Sequence, residues 1–385
     1  PLATRVIAFG DSLTDVGTYT VAPRIPLATL GVATGQNPGE APYFGGKFTT
    51  NTHTGYSCQI DTSAGVPGVL VRNPATNQLI CNNSSTANIW VEWVAARLGV
   101  AITPAEVGIG PAANRRKCPV QFTIPALAGS CTGYAQGGSR VTNPAGIGNP
   151  NGNGIVVTNG VPGPTFMTVP MVTQVADHLA AFNGFSGDDI VFVLGGNNDV
   201  FIQFGVGGPS QPPADDPLAA VQTAATELAT LVKDEIIAKG AKRVVVMTLP
   251  DFTVTPAFSG LPEQNKAFLN QLAEAFNAAL LAGLSGSSAR TIDLRAAGAA
   301  VLANPSAFGI TNATDAACDP AKISAFTGGR ITDGSALFCN AAPASAFVAP
   351  VPNLNGLKTG ASASTYFFAD GVHPTTGGHK ILGDQ

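Results

Sequence analysis

The stretch AFGDSLTDVG, residues 8–17, passes from an apolar run to polar residues within a few positions. The run that leads into it, Arg-Val-Ile-Ala-Phe at 5–9, has the length and the β-branched character of a buried strand. Ser12 therefore stands at the carboxyl end of a predicted strand, where open α/β sheets gather their functional residues. On its own this serine is equally well explained as the N-cap of a helix.

Three more short apolar runs share this character and are predicted as strands, at 189–194, 243–249 and 290–294. Between the strands lie longer stretches whose apolar residues return every three or four positions, at 87–100, 169–183, 216–240 and 261–284. Such an alternation of buried strands and amphipathic helices predicts an α/β fold with a mostly parallel, doubly wound sheet.

The composition indicates a globular protein rich in loops. Of 385 residues, 45% are hydrophobic and only 11% are charged, while 45 glycines and 29 prolines favour turns. The net charge of −4 gives no basic field, so nucleic acid is not expected as a partner. No apolar run approaches the roughly 20 residues that span a bilayer, and no transmembrane segment is expected.

The length of the chain allows two domains, or one α/β domain with long excursions. We predict a single domain, 1–385, with insertions at about 20–86, 101–168 and 304–365 that are rich in Gly, Pro, Asn and Thr. These stretches lack the regular alternation of strands and helices, so they are expected to lie outside the central sheet.

All six cysteines fall in these insertions, as three couples that are close in sequence. Because there is no CxxC and no neighbouring His pair, disulfides are favoured over a zinc site, and over buried free thiols. Among the possible connectivities, the preferred one joins sequence neighbours: Cys58–Cys81, Cys118–Cys131 and Cys318–Cys339. Disulfides indicate an oxidising compartment, so the protein is expected to be secreted or periplasmic, with any signal peptide lying before residue 1.

Two later stretches supply the partners that a reactive serine needs. LGGNNDV, 194–200, follows a predicted strand, and FADGVHPT, 368–375, lies near the end of the chain. Because the carboxyl ends of parallel strands share one edge, these stretches are expected to meet Ser12. His373 is the candidate base for the hydroxyl, and Asp370 is placed to hold the Nδ1 proton of the ring. The side chain of Asn198 and the backbone N–H of Ser12 are candidate donors to an oxyanion.

The blocks FGDSLTDVG, GYAQGGSRV (133–141), GGNND and DGVHP occur in the order and approximate spacing of four blocks of the GDSL, or SGNH, lipases and esterases, and the chain resembles that family. The resemblance implies a three-layer α/β/α, flavodoxin-like fold, no cofactor and no metal, and ester hydrolysis through an acyl-enzyme. It implies Ser12 as the nucleophile, Asp370 and His373 as the other triad members, and Gly138 and Asn198 as oxyanion donors. GGKFTTN (45–51) and IWVEWVAARLG (89–99) resemble the longer secreted bacterial branch.

Two positions in these blocks stay open. Many members of the family carry Asn where this chain has Gly133, so Gly137 is an alternative to Gly138 if the loop is shifted. Asn197 competes with Asn198, and either could be a turn residue. The family pattern, in which the donor directly precedes the aspartate, favours Asn198.

Other residues near the blocks are expected to be structural. Asp11, Asp15 and Asp199 are predicted to hold the site loops through backbone hydrogen bonds, and no metal role is expected for His53, His178 or His379. The aromatic residues at 43–48, 201, 204, 252 and 258 either line an acyl pocket or belong to the core.

The sequence thus predicts a secreted serine esterase or lipase, expected as a monomer, that acts on small-molecule, lipid or polymer esters. A carbohydrate O-deacetylase, or a phospholipase that transfers acyl groups, would use the same triad. A surface-binding module with a decayed triad is the alternative from outside the enzymes, and the four intact blocks count against it.

Overall fold

The computed structural model describes residues 3–19, 46–52, 87–112, 115–122, 125–158, 160–326, 329, 331–346 and 353–385, together with the short strands 40–41 and 58–59. Most of the predicted insertion 20–86 lies outside these residues. So does Cys81, and the pair Cys58–Cys81 therefore stays a prediction.

Four parallel strands form the central sheet: β1 (Val6–Gly10), β2 (Ile190–Leu194), β3 (Arg243–Met247) and β4 (Arg290–Ile292). Their spatial order is β1-β2-β3-β4, and Gly10 is paired with Leu194, so the carboxyl ends of β1 and β2 are level. The predicted mostly parallel α/β architecture is confirmed.

The α-helices of the described residues follow the strands in the predicted alternation. They are α1 (Trp90–Arg97), α2 (Met171–Phe182), α3 (Asn197–Phe204), α4 (Pro217–Leu231), α5 (Glu263–Leu284), α6 (Leu294–Ala303), α7 (Pro320–Phe326) and α8 (Thr376–Asp384). None of the helices within the described ranges has the length and the hydropathy needed to cross a bilayer.

Helices cover both faces of the sheet, which makes three layers. The side chains of Val191 and Val193 point to one face and pack in a cluster with residues of α2, α4 and α5. Phe192 and Leu194 point to the other face, where they pack with residues of α1, α6 and α8. Because consecutive strand residues alternate between faces, β2 is apolar along its whole length, as expected for a strand that is covered on both sides.

Several predicted elements end earlier than expected. The predicted strand 290–294 ends at Ile292, because the Asp293 carboxylate accepts hydrogen bonds from the N–H groups of Arg295 and Ala296 and so begins α6. The predicted strand 243–249 likewise ends at Met247. The predicted helix 216–240 is α-helical only to Leu231 and continues as a π-helix, Val232–Ile237.

The remaining strands lie outside the central sheet. β5 (Asn312–Ala316) and β6 (Tyr366–Phe368) pair in parallel shortly before the His373 loop. Antiparallel pairs join Glu40–Ala41 to Cys58–Gln59, Glu106–Gly108 to Arg115–Lys117, and Ile155–Thr158 to Val161–Pro164. Two of the predicted disulfides, Cys118–Cys131 and Cys318–Cys339, are formed.

Candidate active site

A tight turn after β1 presents Ser12 at the edge of the sheet. The N–H groups of Leu13 and Thr14 donate to Asp11, one to the side chain and one to the carbonyl, at 3.2 and 3.0 Å. Gly10 precedes the turn at φ +156°, and a Cβ there would lie 2.0 Å from the Leu194 carbonyl oxygen, so glycine is required. Within the described stretch 3–19 no helix begins at this turn, and Ser12 is therefore not a helix N-cap.

The structure brings Ser12, His373 and Asp370 into one hydrogen-bonded line. Ser12 Oγ lies 2.8 Å from His373 Nε2, and His373 Nδ1 lies 2.9 Å from both carboxylate oxygens of Asp370. Because a carboxylate only accepts, the ring must donate from Nδ1, which leaves Nε2 free to accept the serine proton. The loop after β6 thus places the His373 imidazole opposite the Ser12 hydroxyl.

Asp370 is buried, yet its surroundings keep it charged. Its carboxylate accepts hydrogen bonds from the N–H groups of Ala336 (2.7 Å), Val372 (3.0 Å) and His373 (2.8 Å). Burial raises the pKa of this carboxyl, but the charge and hydrogen bond of His373 and these N–H donors together hold the pKa below its ordinary value. A permanent anion therefore lies behind the imidazole.

The glycine block lies beside β1 because residues 132–136 run alongside that strand. The N–H of Ala8 donates to the Thr132 carbonyl, and the N–H of Tyr134 donates to the Ala8 carbonyl, at 3.0 and 2.8 Å. This pairing carries the chain directly to Gly137 and Gly138 next to the Ser12 turn. Residues 132–136 thus lie beside β1 where a further edge strand of the sheet would lie.

Gly137 and Gly138 differ in what their N–H groups do. The Gly137 N–H donates to Asp15 Oδ2 at 2.9 Å and is therefore engaged. The Gly138 N–H has no partner among the described residues. Gly138 adopts φ +81°, and a Cβ there would lie 2.4 Å from the Ile147 carbonyl oxygen, so only glycine fits. Of the two alternatives, Gly138 is the one whose N–H is available to an oxyanion.

The two asparagines at the start of α3 also have different partners. Asn198 Nδ2 donates to the Ser139 carbonyl at 2.7 Å, beside the glycine loop. Asn197 Nδ2 donates to Asp11 Oδ2 at 2.8 Å, beneath the serine turn. Gly196, at φ +104°, lets the chain turn from β2 into α3 and places both side chains at the sheet edge. Asn198 is thus the asparagine that contacts the glycine loop.

Three buried carboxylates tie the site loops together. Asp15 accepts from the N–H groups of Gly17 and Thr18 at 2.9 and 2.7 Å, in addition to Gly137. Asp199 accepts from Arg140 Nε at 2.8 Å and so joins α3 to the glycine loop. Burial raises the pKa of Asp11 and the pKa of Asp15 to about 6, and it also raises the pKa of Asp199.

Two aromatic residues contact the site loops directly: Phe48, one of the aromatic residues noted at 43–48, and Tyr19, which the sequence did not indicate. Phe48 packs against the His373 ring with centroids 4.9 Å apart, and a Cβ at Gly137 would lie 2.2 Å from the Phe48 ring. The Tyr19 hydroxyl donates to the Gly137 carbonyl at 2.9 Å. Phe48 belongs to the GGKFTTN block and to the aromatic residues at 43–48, and both pointed to this part of the chain.

An apolar cleft of about 200 Å³ opens beside Ser12 and His373. It is lined mainly by aliphatic and aromatic side chains, including Leu194, Met247 and Ile292 at the ends of successive strands. Phe201 and Phe252 line the cleft and also pack in the core. Phe258 packs in the core.

The other histidines in the described part of the chain are buried away from any cluster of ligands. Burial lowers the pKa of His178 to about 4 and that of His379 to about 3. No group of three His, Cys, Asp or Glu residues that could hold a metal occurs in the described ranges. His53 lies outside them.

Comparison with known proteins identifies similar sequences. The sequence profile of the family described as GDSL-like Lipase/Acylhydrolase matches residues 6–385. An uncharacterized protein in the trpE-trpG intergenic region of Pseudomonas putida is 30% identical over 206 residues. Esterase EstA of Pseudomonas aeruginosa and esterase EstA of Pseudomonas putida are each 33% identical over 146 residues.

These relatives are considerably longer than the matched segment. The first alignment covers 52% of this chain and 29% of the relative, and the two EstA alignments each cover 37% of this chain and 19% of the relative. The chain thus matches less than a third of the length of each relative.

Proposed function

The chain belongs to the GDSL-like lipase/acylhydrolase family, and on that premise we propose that it hydrolyses carboxylic esters with Ser12 as the nucleophile. The observation that carries the proposal is the line from Ser12 Oγ to His373 Nε2, 2.8 Å, and from His373 Nδ1 to Asp370, 2.9 Å. A serine hydroxyl is a weak nucleophile at neutral pH and requires an adjacent base. The geometry supports His373 in that role and Asp370 as the group that orients it.

In the first half of the reaction Ser12 Oγ attacks the ester carbonyl carbon and passes its proton to His373 Nε2. The π electrons of the carbonyl move onto its oxygen, which becomes an oxyanion. The N–H groups of Ser12 and Gly138 and the amide of Asn198 stabilise this charge, and Asp370 stabilises the imidazolium. When the carbonyl re-forms, the bond to the alcohol breaks, and the leaving oxygen takes the proton from His373.

The second half of the reaction repeats these steps with water. His373 takes a proton from water as the water oxygen attacks the acyl carbon on Ser12. The second tetrahedral intermediate collapses, the bond to Oγ breaks, and Oγ recovers its proton from His373. The carboxylic acid leaves, and the enzyme returns to its starting state.

The apolar cleft favours an ester with an alkyl acyl chain over an acetylated sugar. A carbohydrate O-deacetylase has to hold hydroxyl groups, which require hydrogen-bonding partners when buried. Most residues that line this cleft, such as Leu194, Phe201 and Met247, have side chains that offer no hydrogen-bonding partner. Esters with an alkyl acyl chain longer than acetyl are therefore the substrate class that we propose.

An extracytoplasmic location forms part of this proposal. The disulfides Cys118–Cys131 and Cys318–Cys339 support it, because disulfides persist in oxidising compartments.

A comparison of substrates tests the proposal. We expect turnover of p-nitrophenyl butanoate and octanoate, with kcat/KM for octanoate at least about tenfold above the release of acetate from acetyl-xylan. Addition of a long-chain alcohol would reveal acyl transfer as ester product in place of free acid. Faster turnover of acetyl-xylan would contradict the proposed substrate class, and absence of turnover on every ester would contradict hydrolysis itself.

A further inference from the structure

Two of the segments that line the cleft beside Ser12 come from different elements and are called its walls below. The first wall is the loop after β3, residues 250–255, of which Phe252 and Val254 line the cleft. The second wall is α6, which lines the cleft with Gly298, Ala299 and Leu302. An acyl chain that extends away from Ser12 would lie between these walls.

An ion pair joins the two walls. Arg295 Nη2, at the start of α6, lies 3.3 Å from Asp251 Oδ2, in the loop after β3. The Asp251 carboxylate is fixed by the N–H and the hydroxyl of Thr253, at 2.9 and 2.6 Å. The guanidinium of Arg295 is held by Asn270 and Glu274 of α5. Both members of the Asp251–Arg295 bridge are therefore held in place by neighbouring elements.

The bridge is polar in surroundings that are otherwise apolar. Among the described residues that line the cleft, Asp251, Arg295 and His373 are the only ones with ionisable side chains. The side chains of Asp251 and Arg295 are 27% and 30% exposed, so both still contact water. A hydrocarbon chain that lay across them would remove this water without replacing its hydrogen bonds, which is unfavourable.

The order of the strands fixes how far the bridge lies from the nucleophile. Ser12 follows β1, whereas Asp251 follows β3 and Arg295 follows β4, two and three positions along the sheet. With strands about 4.8 Å apart, the bridge lies roughly 10–14 Å from Ser12. An extended chain advances about 1.2 Å per bond along its length, so an acyl chain reaches the bridge after roughly eight to twelve bonds.

We propose that the Asp251–Arg295 bridge limits the length of the acyl chain that the cleft accepts. The inference rests on the function proposed above and adds a specificity determinant to it. Chains of up to about eight carbons end before the bridge, whereas chains of about twelve carbons reach it. The bridge thus selects against long acyl chains without contacting the reacting atoms.

The double variant Asp251→Asn/Arg295→Met tests this role. The change Asp251→Asn keeps a side-chain oxygen for Thr253, and the change Arg295→Met keeps an unbranched apolar stem, so both walls retain their packing. Replacing both charges together also avoids leaving one of them unpaired. We expect the ratio of kcat/KM for p-nitrophenyl dodecanoate to that for the butanoate to rise about fivefold or more, mainly through KM. A ratio that stays within about twofold of the wild type, or falls, would overturn the proposal.

The surface pair Asp188–Arg243 provides a matched control. It has the same separation, 3.3 Å, and does not line the cleft, so Asp188→Asn/Arg243→Met should leave the ratio unchanged. A similar rise in this control would show that the effect is not specific to the cleft, and would also overturn the proposal. Circular dichroism verifies that both variants are folded.

A binding measurement separates this proposal from the proposed hydrolysis. In the Ser12→Ala background, methyl dodecanoate and methyl butanoate are titrated while tryptophan fluorescence is followed, since Trp90 lines the cleft. The affinity for the dodecanoate divided by that for the butanoate should be at least about fivefold higher when the double variant is added to Ser12→Ala than in Ser12→Ala alone. This result is expected even if the wild type hydrolyses no ester, whereas unchanged relative affinities would contradict the bridge.

Discussion

The backbone N–H of Gly137 lies 2.9 Å from Oδ2 of Asp15 and donates a hydrogen bond to it. The other oxygen of Asp15 accepts from the N–H groups of Gly17 and Thr18, which follow the serine turn. One buried carboxylate thus joins the turn that carries Ser12 to the loop that carries Gly138. Together with the pairing of residues 132–136 beside β1, this side chain holds the Ser12 turn and the glycine loop in register.

The variant Asp15→Asn should weaken the hydrogen bonds that join the Ser12 turn to the glycine loop, while a side chain of the same size remains. An amide offers one accepting oxygen, so at least one N–H partner would face an NH₂ group instead. We expect kcat on p-nitrophenyl butanoate to fall about tenfold while KM changes less than about threefold. The reason is that the glycine loop would shift, and with it the Gly138 N–H that is proposed to stabilise the oxyanion. Asp188→Asn, a change at an exposed carboxylate, serves as the control. An unaltered kcat for Asp15→Asn would show that this connection is not needed.

The two asparagines of α3 should respond differently to truncation. Asn198→Ala removes a proposed oxyanion donor and should lower kcat by a factor on the order of 10²–10³. Asn197→Ala removes a hydrogen bond to Asp11 and should mainly reduce the free energy of unfolding, by about 1–3 kcal/mol. Steady-state kinetics and urea denaturation of both variants distinguish the roles. The reverse pattern would assign the donor to Asn197.

Phe48 and Gly137 are packed so closely that their substitutions should be coupled. A Cβ at Gly137 would lie 2.2 Å from the Phe48 ring, so Gly137→Ala should destabilise the protein by about 1–3 kcal/mol. In the double variant with Phe48→Leu, part of this cost should disappear, with a coupling energy of about 0.5–3 kcal/mol. Thermal denaturation of the four proteins in this cycle measures the coupling. Strictly additive costs would contradict the packing described here.

The buried carboxyl of Asp11 should make stability depend on pH. Burial raises the pKa of Asp11 to about 6, so the folded protein binds a proton more tightly there than the unfolded chain. The stability from this group is therefore complete below about pH 4 and is lost as the pH rises through about 6. Asp370 has the opposite effect on stability. Because its pKa is lowered, it contributes stability at pH values above the ordinary pKa of aspartate, and this stability is lost as the pH falls.

Melting temperatures of the wild type and Asp11→Asn, measured between about pH 4.5 and 8, test this expectation. The wild type should lose stability relative to the variant across this interval, by an amount on the order of 2–3 kcal/mol. Parallel curves for the two proteins would show that Asp11 does not titrate in this range.

Much of the architecture could be predicted because its signals are local. Apolar runs with β-branched residues marked the four central strands, and the rule that parallel strand ends share an edge predicted that Ser12, Asn198 and His373 would meet. The structure places Ser12 Oγ 2.8 Å from His373 Nε2, although His373 follows β6, which lies outside the central sheet. The Asn198 side chain contacts the Ser139 carbonyl, beside the glycine loop. These predictions needed only the order of the elements, not the details of packing.

The supporting contacts could not be predicted, because they join residues that are far apart in sequence. Nothing near Ala336 indicated that its N–H would donate to Asp370, and the aromatic character of Phe48 did not reveal that its ring would pack on His373. The prediction that the last central strand runs to residue 294 was also wrong. An apolar run does not show where a side chain, here that of Asp293, begins to cap the next helix. Such contacts depend on tertiary structure, which the spacing of residues does not encode.

Labelling with a fluorophosphonate decides whether Ser12 is a nucleophile activated by His373. The reagent phosphonylates a serine only when a base removes the hydroxyl proton, so intact mass and peptide mapping report the chemistry without a choice of substrate. We predict one adduct on Ser12 in the wild type, none in Ser12→Ala, and labelling slowed by at least about 10³-fold in His373→Ala. A wild-type protein that stays unlabelled at Ser12, or a His373→Ala variant that is labelled at the wild-type rate, would contradict the proposed mechanism.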